Sequence, residues 1–300
     1  MKTVKNLLKI IRYINGHPLA GRHRWLGYYR LFQWQFYSRV SASPRLVPFT
    51  AKTRLLVSRG MTGATGNIYT GLHDFPEMAF LLHFLRSRDQ FMDIGANVGS
   101  YTVLASAHVG CRTLSFEPVP ETVKALRANI ELNSAEDRVT LVAAAVGSVP
   151  GRVKITASLD TVNHIVQEGG ADLVGTREVP VVTADSYGEG WGIPILVKID
   201  VEGFEWEVLQ GAEAILANPE LKALIIELNG SGERYGYSEE RIHEKLLGAG
   251  FQPYQYDPFT RHLTALATHG ALNTIYLRDP EAVQIRLASA PAVTLFRETF

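Results

Sequence analysis

The chain has 300 residues, of which 46% are hydrophobic, with one cysteine and a formal net charge of zero. This length fits one large domain with an appendage or two small domains, and the hydrophobic content is sufficient for a packed core. The single cysteine, Cys111, excludes an intrachain disulfide and a cysteine-based zinc site.

The net charge of zero conceals a strong asymmetry along the chain. Residues 1–73 contain 12 Lys and Arg and no acidic residue, whereas the other 18 basic residues share the rest of the chain with all 30 acidic ones. Apolar residues recur at helical spacing over 4–14, and an aromatic and basic segment over 25–37 predicts a second helix. We expect the two helices to take one of two positions. They lie on an anionic membrane surface, or they pack on the acidic body, within one chain or across a homodimer.

Nucleic acid is a weaker alternative partner for this basic region. Its aromatic residues could stack on bases, but no recognised RNA-binding motif accompanies them. The sequence shows neither a signal peptide nor a run of about 20 apolar residues. We therefore expect a cytoplasmic protein, with peripheral contact to a membrane left open.

Beyond residue 54, predicted strands alternate with predicted helices at intervals of about 25 to 35 residues. A glycine- and threonine-rich loop is predicted over 60–71, a hairpin turn over 147–151 and an irregular segment over 156–176. One helix is predicted to start at Pro76 and to end before Asp89, and others are predicted over 120–132, 204–216 and 238–247. The predicted strands lie over 54–58, 91–94, 114–117, 139–146, 152–156, 179–185, 195–199, 221–228, 251–256 and 274–277. This alternation indicates an α/β protein with a doubly wound, mostly parallel sheet.

The segment 91–100 reads as the end of a buried strand, a tight glycine loop and the start of a helix. Gly95 and Gly99 let the backbone turn sharply and approach a ligand, and Asp93 stands at the strand end. Glu117 occupies the place of the acid that accepts hydrogen bonds from ribose in nucleotide-binding α/β folds. A dinucleotide-binding fingerprint would read Gly-x-Gly-x-x-Gly, and its middle glycine is missing here. The pattern therefore favours a nucleoside that lacks phosphates and carries an amino-acid cation. S-adenosylmethionine fits this description.

Four acidic residues are predicted to meet at one edge of the sheet. Asp93, Glu117, Asp200 and Glu227 all lie at or near the ends of predicted strands. Because doubly wound sheets bind ligands at the carboxyl ends of their strands, this convergence predicts an active site there.

Several segments resemble the FkbM-type S-adenosylmethionine-dependent methyltransferases. The most specific is Lys-Ile-Asp-Val-Glu-Gly at 198–203, one strand before Ile-Glu-Leu at 226–228. Supporting segments lie at 68–74, 93–101, 116–118 and 208–212. The resemblance divides the chain into a basic aromatic extension, a methyltransferase domain and a C-terminal tail, at 1–54, 55–278 and 279–300.

The resemblance implies a Rossmann-like class I methyltransferase fold, with a seven-stranded sheet whose last strand is antiparallel. It also implies methyl transfer from S-adenosylmethionine to a hydroxyl of a sugar, a polysaccharide or a related natural product. Carried over by position, the residues at the methionine end of the cofactor would be Asp93, Gly95, Asn97 and Gly99. Glu117 would bind the ribose, and Asp74 would reach the site from the preceding loop. The alanines at 143–145 provide no acid for the adenine amine.

An aliphatic hydroxyl must lose its proton to become a good nucleophile, so a nearby base accelerates the reaction. Asp200 is the candidate base because it lies just past a strand end, with Glu202 to orient it or the substrate. Lys198 lies two residues before Asp200 and therefore points to the same face of the strand. It is expected to hold the Asp200 carboxylate or the alkoxide that develops on the acceptor. Glu227 and His164 are expected to line the acceptor pocket.

Three alternatives remain open at this point. Asp200 and Glu202 would also suit the N-terminus of the following helix as capping residues. Together with Glu227 they would suit Mg²⁺, although we predict catalysis without a metal. The alternative to an enzyme is a non-enzymatic or membrane-surface binding module that retains a nucleoside-binding fold.

Overall fold

The structure, a computed structural model, describes residues 2–156, 164–166 and 175–300. Its helices are α1 (Lys2–Gly16), α2 (Arg24–Val40), α3 (Thr62–Thr70), α4 (Phe75–Phe84), α5 (Ser100–Val103), α6 (Pro120–Leu132), α7 (Asp185–Trp191), α8 (Glu205–Gln210), α9 (Glu213–Ala217), α10 (Glu239–Gly248) and α11 (Pro280–Ala288). Its strands are β1 (Arg45–Pro48), β2 (Arg54–Val57), β3 (Gln90–Ile94), β4 (Arg112–Phe116), β5 (Val139–Val142), β6 (Ala145–Val146), β7 (Gly151–Thr156), β8 (Ile165–Val166), β9 (Thr176–Val182), β10 (Leu196–Ile199), β11 (Ala223–Glu227), β12 (Gln252–Asp257), β13 (His262–Ala265), β14 (Asn273–Leu277), β15 (Thr294–Leu295) and β16 (Glu298–Thr299).

The central sheet has the strand order β13-β12-β14-β11-β10-β3-β4-β5. The five strands from β11 to β5 are parallel, and β14 runs antiparallel to its neighbours β11 and β12. The predicted fold, a doubly wound sheet with an antiparallel last strand, is therefore confirmed, and β13 adds an eighth strand at the edge. Strand β10 is buried along its whole length, as expected for a parallel strand covered on both faces.

The order of the parallel strands reverses between β3 and β10. From β3 the chain continues outward through β4 and β5, whereas β10 pairs on the other side of β3, with Lys198 opposite Asp93. Such a switch point leaves a crevice at the carboxyl ends of the two strands. The two motifs of the sequence, after β3 and after β10, therefore lie side by side.

A second, four-stranded sheet has the order β6-β9-β7-β8. The predicted strand over 139–146 is divided between the two sheets, with β5 in the central sheet and β6 in the smaller one. The predicted hairpin is wrong, because β7 pairs antiparallel with β8 and β9 whereas β6 pairs parallel with β9. Of the segment predicted to be irregular, residues 157–163 and 167–174 lie outside the described residues.

Three predictions of local structure are wrong because packing overrides the local signal. Residues predicted as a loop form α3, where Gly66 lies so close to His73 that an added Cβ would be 2.9 Å from the Cβ of His73. The helix predicted over 204–216 is divided into α8 and α9 at Gly211, where a Cβ would be 2.0 Å from the carbonyl oxygen of Gly147. The strand predicted to reach residue 185 ends earlier, and Asp185 starts α7.

The N-terminal helices pack on the body of the same chain. Ile14 of α1 and Leu31 and Trp34 of α2 are buried in the hydrophobic cluster that includes Phe80 of α4. This cluster covers one face of the central sheet, so the helices are part of the core. Among the described residues, no helix combines the length and the apolar character that crossing a membrane requires.

The residues predicted as a C-terminal tail are also folded. Helix α11 and the β15–β16 hairpin place Leu287 and Phe300 in the same hydrophobic cluster. The carboxylate of Glu298 lies 3.3 Å from Nη1 of Arg22 and 2.8 Å from Nε2 of His23. The two ends of the chain therefore meet on the body.

Candidate active site

A cavity of about 510 Å³ opens at the carboxyl ends of β3, β4, β10 and β11. Its volume lies within the range of small-molecule sites. The wall combines the glycine loop after β3, the end of β4, the segment after β10, helix α3 and Tyr13 of α1. The cavity therefore occupies the edge of the sheet that the sequence predicts.

The glycine loop forms one side of the cavity through Gly95 and Asn97, as predicted. Gly95 has φ of 78°, and an added Cβ would lie 1.8 Å from the carbonyl oxygen of Asp200. Only glycine permits this contact between the loop and the segment after β10. Asn97 has φ of 51°, in the left-handed region that asparagine tolerates better than most residues.

Two residues predicted to contact the cofactor support the wall from behind instead. The Asp93 side chain is completely buried, and its Oδ2 accepts a hydrogen bond from Oγ1 of Thr102 at 2.7 Å. Burial raises the pKa of Asp93, against the effect of the Lys198 charge. Gly99 lies against α6, where an added Cβ would be 2.4 Å from Cδ1 of Leu126. Neither Asp93 nor Gly99 is part of the cavity wall.

Glu117 is on the cavity wall and only 6% exposed. Its Oε2 accepts a hydrogen bond from the N–H of Asn97 at 3.0 Å, and its Oε1 accepts one from the N–H of Val119 at 2.9 Å. Burial raises the pKa of Glu117 to about 7, although these hydrogen bonds oppose the rise. A carboxylate oxygen has two lone pairs, so the fixed group can still accept hydrogen bonds from ligand hydroxyls.

Asp74 lies on the wall at the start of α4, as the resemblance implied. Its Oδ2 accepts a hydrogen bond from the Tyr101 hydroxyl at 3.1 Å and lies 3.0 Å from Nε2 of His73. Burial alone would raise the pKa of Asp74, but His73 and the hydrogen bonds hold it below its usual value. The same pairing raises the pKa of His73 against the effect of burial. Asp74 therefore presents a negative charge to the cavity.

Lys198 places a buried positive charge beside Asp200. The Lys198 side chain is almost fully buried, and its Nζ donates a hydrogen bond to Oδ2 of Asp200 at 2.9 Å. The same Nζ lies 4.8 Å from the centre of the Tyr101 ring. Burial would lower the pKa of Lys198, but the charges of Asp200 and Asp93 raise it overall. The ammonium therefore stays charged at neutral pH.

Glu202 and Glu227 complete an acidic group around Asp200. Burial and the charge of Asp200 raise the pKa of Glu202 to about 7 and that of Glu227 to about 9. Glu227 therefore holds its proton at neutral pH and can donate a hydrogen bond to Asp200. The three carboxyl groups each place an oxygen within 4.8 Å of the others and are the one group in the described part of the chain that could hold a metal ion. Lys198 already neutralises Asp200, and its charge disfavours a cation beside it.

Asp200 and Glu202 do not cap the following helix, so that alternative is wrong. Helix α8 starts at Glu205 after a residue that makes no side-chain cap. The Glu205 carboxylate instead accepts hydrogen bonds from the N–H groups of Val201 and Gly203, at 3.2 and 3.1 Å. It thereby closes the turn in which Glu202 has φ of 56°. This turn leaves the Asp200 and Glu202 side chains on the cavity wall.

His164 is not on the cavity wall, in contrast to the prediction. Its neighbour Ile165 lines the cavity, and the His164 N–H donates a hydrogen bond to Oγ1 of Thr156 at 2.9 Å. His164 directly precedes β8, and its carbonyl oxygen also accepts a hydrogen bond from the N–H of Thr156 at 3.0 Å. These two hydrogen bonds fix His164 to β7 and place Ile165 on the wall.

The site also contains residues that the prediction did not assign. His73 and Tyr101 lie within segments that resemble the family, but no local pattern indicates that they pair with Asp74. Tyr13 comes from α1, and its hydroxyl donates a hydrogen bond to the carbonyl oxygen of His73 at 2.9 Å. The two residues are 60 positions apart, and no sequence pattern indicates this contact, which arises from the packing of α1.

One family model matches the chain. The family model described as "Methyltransferase FkbM domain" matches residues 93–253, more than half of the chain. No curated protein matches the chain in sequence.

Solved structures with some similarity have different acceptors. Precorrin-6y C5,15-methyltransferase from Geobacter metallireducens is 15% identical, with a TM-score of 0.38 over 69% of this chain and 88% of that one. An rRNA methylase from Streptococcus thermophilus is 12% identical, with a TM-score of 0.40 over 67% and 93%. An S-adenosylmethionine-dependent O-methyltransferase from Thermotoga maritima is 13% identical, with a TM-score of 0.37 over 68% and 64%. These similarities are too low to indicate a substrate.

Proposed function

Because the chain belongs to the family of FkbM methyltransferase domains, and so is an S-adenosylmethionine-dependent methyltransferase, we propose that it methylates a hydroxyl of a sugar, a polysaccharide or a related natural product. Family membership confirms the predicted cofactor and supports an enzyme over a non-enzymatic module. The hydroxyl acceptor is the part of the proposal that rests on the chemistry of the cavity.

The observation that carries this proposal is the pairing of Asp200 with Lys198 on the cavity wall, at 2.9 Å. A hydroxyl needs a base to take its proton, and its oxygen gains negative charge as the proton leaves. Asp200 supplies the base, and the Lys198 ammonium stabilises that negative charge. An amine nucleophile would instead gain positive charge beside the same ammonium. The pair therefore favours oxygen over nitrogen as the acceptor atom.

The residues on the wall fit the cofactor. S-adenosylmethionine supplies the methyl group on a positively charged sulfur, which takes back the bonding electrons when the methyl group is transferred. Glu117 would accept hydrogen bonds from the ribose hydroxyls, and Asp74 would face the positively charged methionine end. Gly95 provides a wall without a Cβ, and Ala144 and Ala145 provide an apolar wall that suits a purine ring.

The remaining carboxyl groups would act on the acceptor. Asp200 takes the proton of the acceptor hydroxyl, and Lys198 keeps Asp200 in place. Glu227, protonated at neutral pH, donates a hydrogen bond to Asp200 or to a second hydroxyl of the acceptor. Glu202 lies beside them and would orient the acceptor. A sugar carries several neighbouring hydroxyls and therefore matches such a cluster of hydrogen-bond acceptors and donors.

The proposal is tested with purified protein, S-adenosylmethionine labelled in its methyl group and a panel of sugars, glycosides and glycosylated natural products. We expect label in a methyl ether, which resists dilute alkali, at a ring position that NMR assigns. Amines and carboxylic acids of similar size serve as comparison acceptors. Label that enters only an amine, a ring carbon or an alkali-labile ester would show that the acceptor is not a hydroxyl.

A further inference from the structure

Helix α2 carries an exposed row of aromatic side chains. Trp25, Tyr29, Phe32 and Phe36 follow one another at intervals of four, three and four residues, so they lie along one side of the helix. They are 59% to 75% exposed, whereas Trp34 on the opposite side is buried. We call these four residues the aromatic face.

The aromatic face is not explained by folding. Single exposed apolar residues are normal, but contiguous ones mark an interaction surface. The buried side of α2 already attaches the helix to the body, so the aromatic face adds nothing to the core. Tryptophan and tyrosine have an apolar ring and a polar tip, which suits the boundary between water and lipid.

The exposed charges of α1 and α2 indicate the nature of the partner. Arg24 and Arg39 are exposed near the two ends of the same helix, and Lys9 and Arg12 are exposed on α1. No acidic residue occurs before Asp74. A partner for this surface must therefore tolerate a concentration of positive charge.

We propose that the aromatic face docks α2 on an anionic lipid surface, with the aromatic rings at the headgroup boundary and the arginines on the phosphates. A second copy of the chain suits the surface less well, because a symmetric dimer would bring the two basic regions together. The apolar side of α1 takes no part in this docking, since Ile14 is buried in the core and Ile11 packs against it.

The same helix pair borders the active site. A groove of about 410 Å³ between α1, α2 and α3 is lined by Gln35 of α2 and shares Tyr13, Thr62 and Gly66 with the active-site cavity. Docking through α2 would therefore hold the cavity close to the lipid surface. This arrangement suits an acceptor that is itself attached to lipid.

Flotation with vesicles tests the proposal on the full chain. We compare vesicles of phosphatidylcholine alone with vesicles that also contain phosphatidylglycerol, and we expect binding only to the anionic vesicles. The double variant Phe32→Ser/Phe36→Ser should weaken binding by about tenfold or more. The matched control is Val149→Ser/Ile285→Ser, which changes two apolar residues of similar exposure elsewhere, 69% and 71%; it should bind as the wild type does.

The charge contribution is tested by Arg24→Gln/Arg39→Gln, with Lys124→Gln/Arg127→Gln on the exposed side of α6 as the control. We expect about a tenfold loss or more for the first pair and none for the second.

Wild-type protein that fails to bind anionic vesicles, or binding that is unchanged in both α2 variants, would overturn the proposal. Sedimentation velocity without lipid gives the other decisive result: a wild-type dimer that the Phe32→Ser/Phe36→Ser variant converts to a monomer would assign the aromatic face to subunit contact. S-adenosylmethionine affinity should be the same in all variants, which separates this test from that of the proposed reaction.

Discussion

At the scale of single residues, the fold changes the chemistry of carboxyl groups through burial and through specific partners. Asp74 is held ionised by His73, whereas Glu227 retains its proton because it is buried beside Asp200. A carboxyl group therefore supplies a negative charge at one point of the cavity and a hydrogen-bond donor at another.

Glu117→Ala is expected to weaken S-adenosylmethionine binding by roughly 1.5 to 3 kcal/mol, the usual contribution of hydrogen bonds to a charged group. Calorimetry measures the affinity, and circular dichroism shows whether the variant is folded. Glu121→Ala, on the exposed start of α6, is the control and should bind the cofactor normally. A folded Glu117→Ala protein with wild-type affinity would remove Glu117 from the ribose site.

Asp200→Asn is expected to retain cofactor binding and to lose turnover by about 10²- to 10⁴-fold, because the amide keeps the shape of the side chain but takes no proton. Single-turnover rates with labelled cofactor measure the effect. Asp137→Asn, an exposed substitution of the same type, should leave the rate unchanged. Near-normal transfer by Asp200→Asn would mean that another group is the base.

Glu227 makes the stability of the protein depend on pH. Folding raises its pKa from about 4.5 to about 9, so the folded protein binds this proton more tightly than the unfolded chain does. The corresponding stabilisation is complete below about pH 4.5 and is lost as the pH rises through about 9. Glu227→Gln cannot ionise, so the difference in melting temperature between pH 6 and pH 9 should be smaller in this variant. Glu220→Gln, at an exposed position, should melt as the wild type does; a Glu227→Gln protein with the wild-type pH dependence would contradict the assignment.

At the scale of elements, two turns meet at the switch point of the sheet. Gly95→Ala places a Cβ on the carbonyl oxygen of Asp200 and forces a side chain into a positive φ, so we expect a loss of stability of about 1 to 3 kcal/mol and weaker cofactor binding. Gly151→Ala is the matched control, because a Cβ at Gly151 has no atom within 4 Å. Urea unfolding and calorimetry measure both effects. Equal stability of the two variants would show that the loop can move away from β10 without cost.

The sequence predicts elements well where the local pattern and the packing agree. Strand β10 is an apolar run, and its burial on both faces is what that run indicates. The local pattern does not predict helix α3 because glycine and threonine have low helix propensity, and the helix is held instead by burial of Ala64 and Tyr69. The position of Glu117 could be predicted from the spacing of motifs. The contribution of Tyr13 could not, because it depends on how α1 packs.

At the scale of the whole molecule, the basic N-terminal region is part of the folded body. Deletion of residues 1–45 would expose apolar surface of the core cluster to which Ile14, Leu31 and Trp34 belong, and would uncover Phe75, whose ring centre lies 6.0 Å from that of His17. Each large side chain left exposed costs about 1.5 to 3 kcal/mol, so we expect the truncated protein to aggregate. Size-exclusion chromatography and thermal melting measure this. A monodisperse truncated protein of wild-type stability would show that the two helices contribute nothing to the core.

The strand order of the central sheet shows that the segment matched by the family model differs from the segment that folds as a unit. The matched segment 93–253 ends within β12, but β12 reaches the sheet only through β14, which lies later in the chain. A protein cut at these boundaries would leave β11, an apolar strand, as an open edge with unpaired backbone groups. Such an edge recruits strands from other molecules and leads to aggregation. The family match therefore contains most of the residues of the cavity, while the ends of an autonomous folding unit are set by the strands and helices that close the sheet around it.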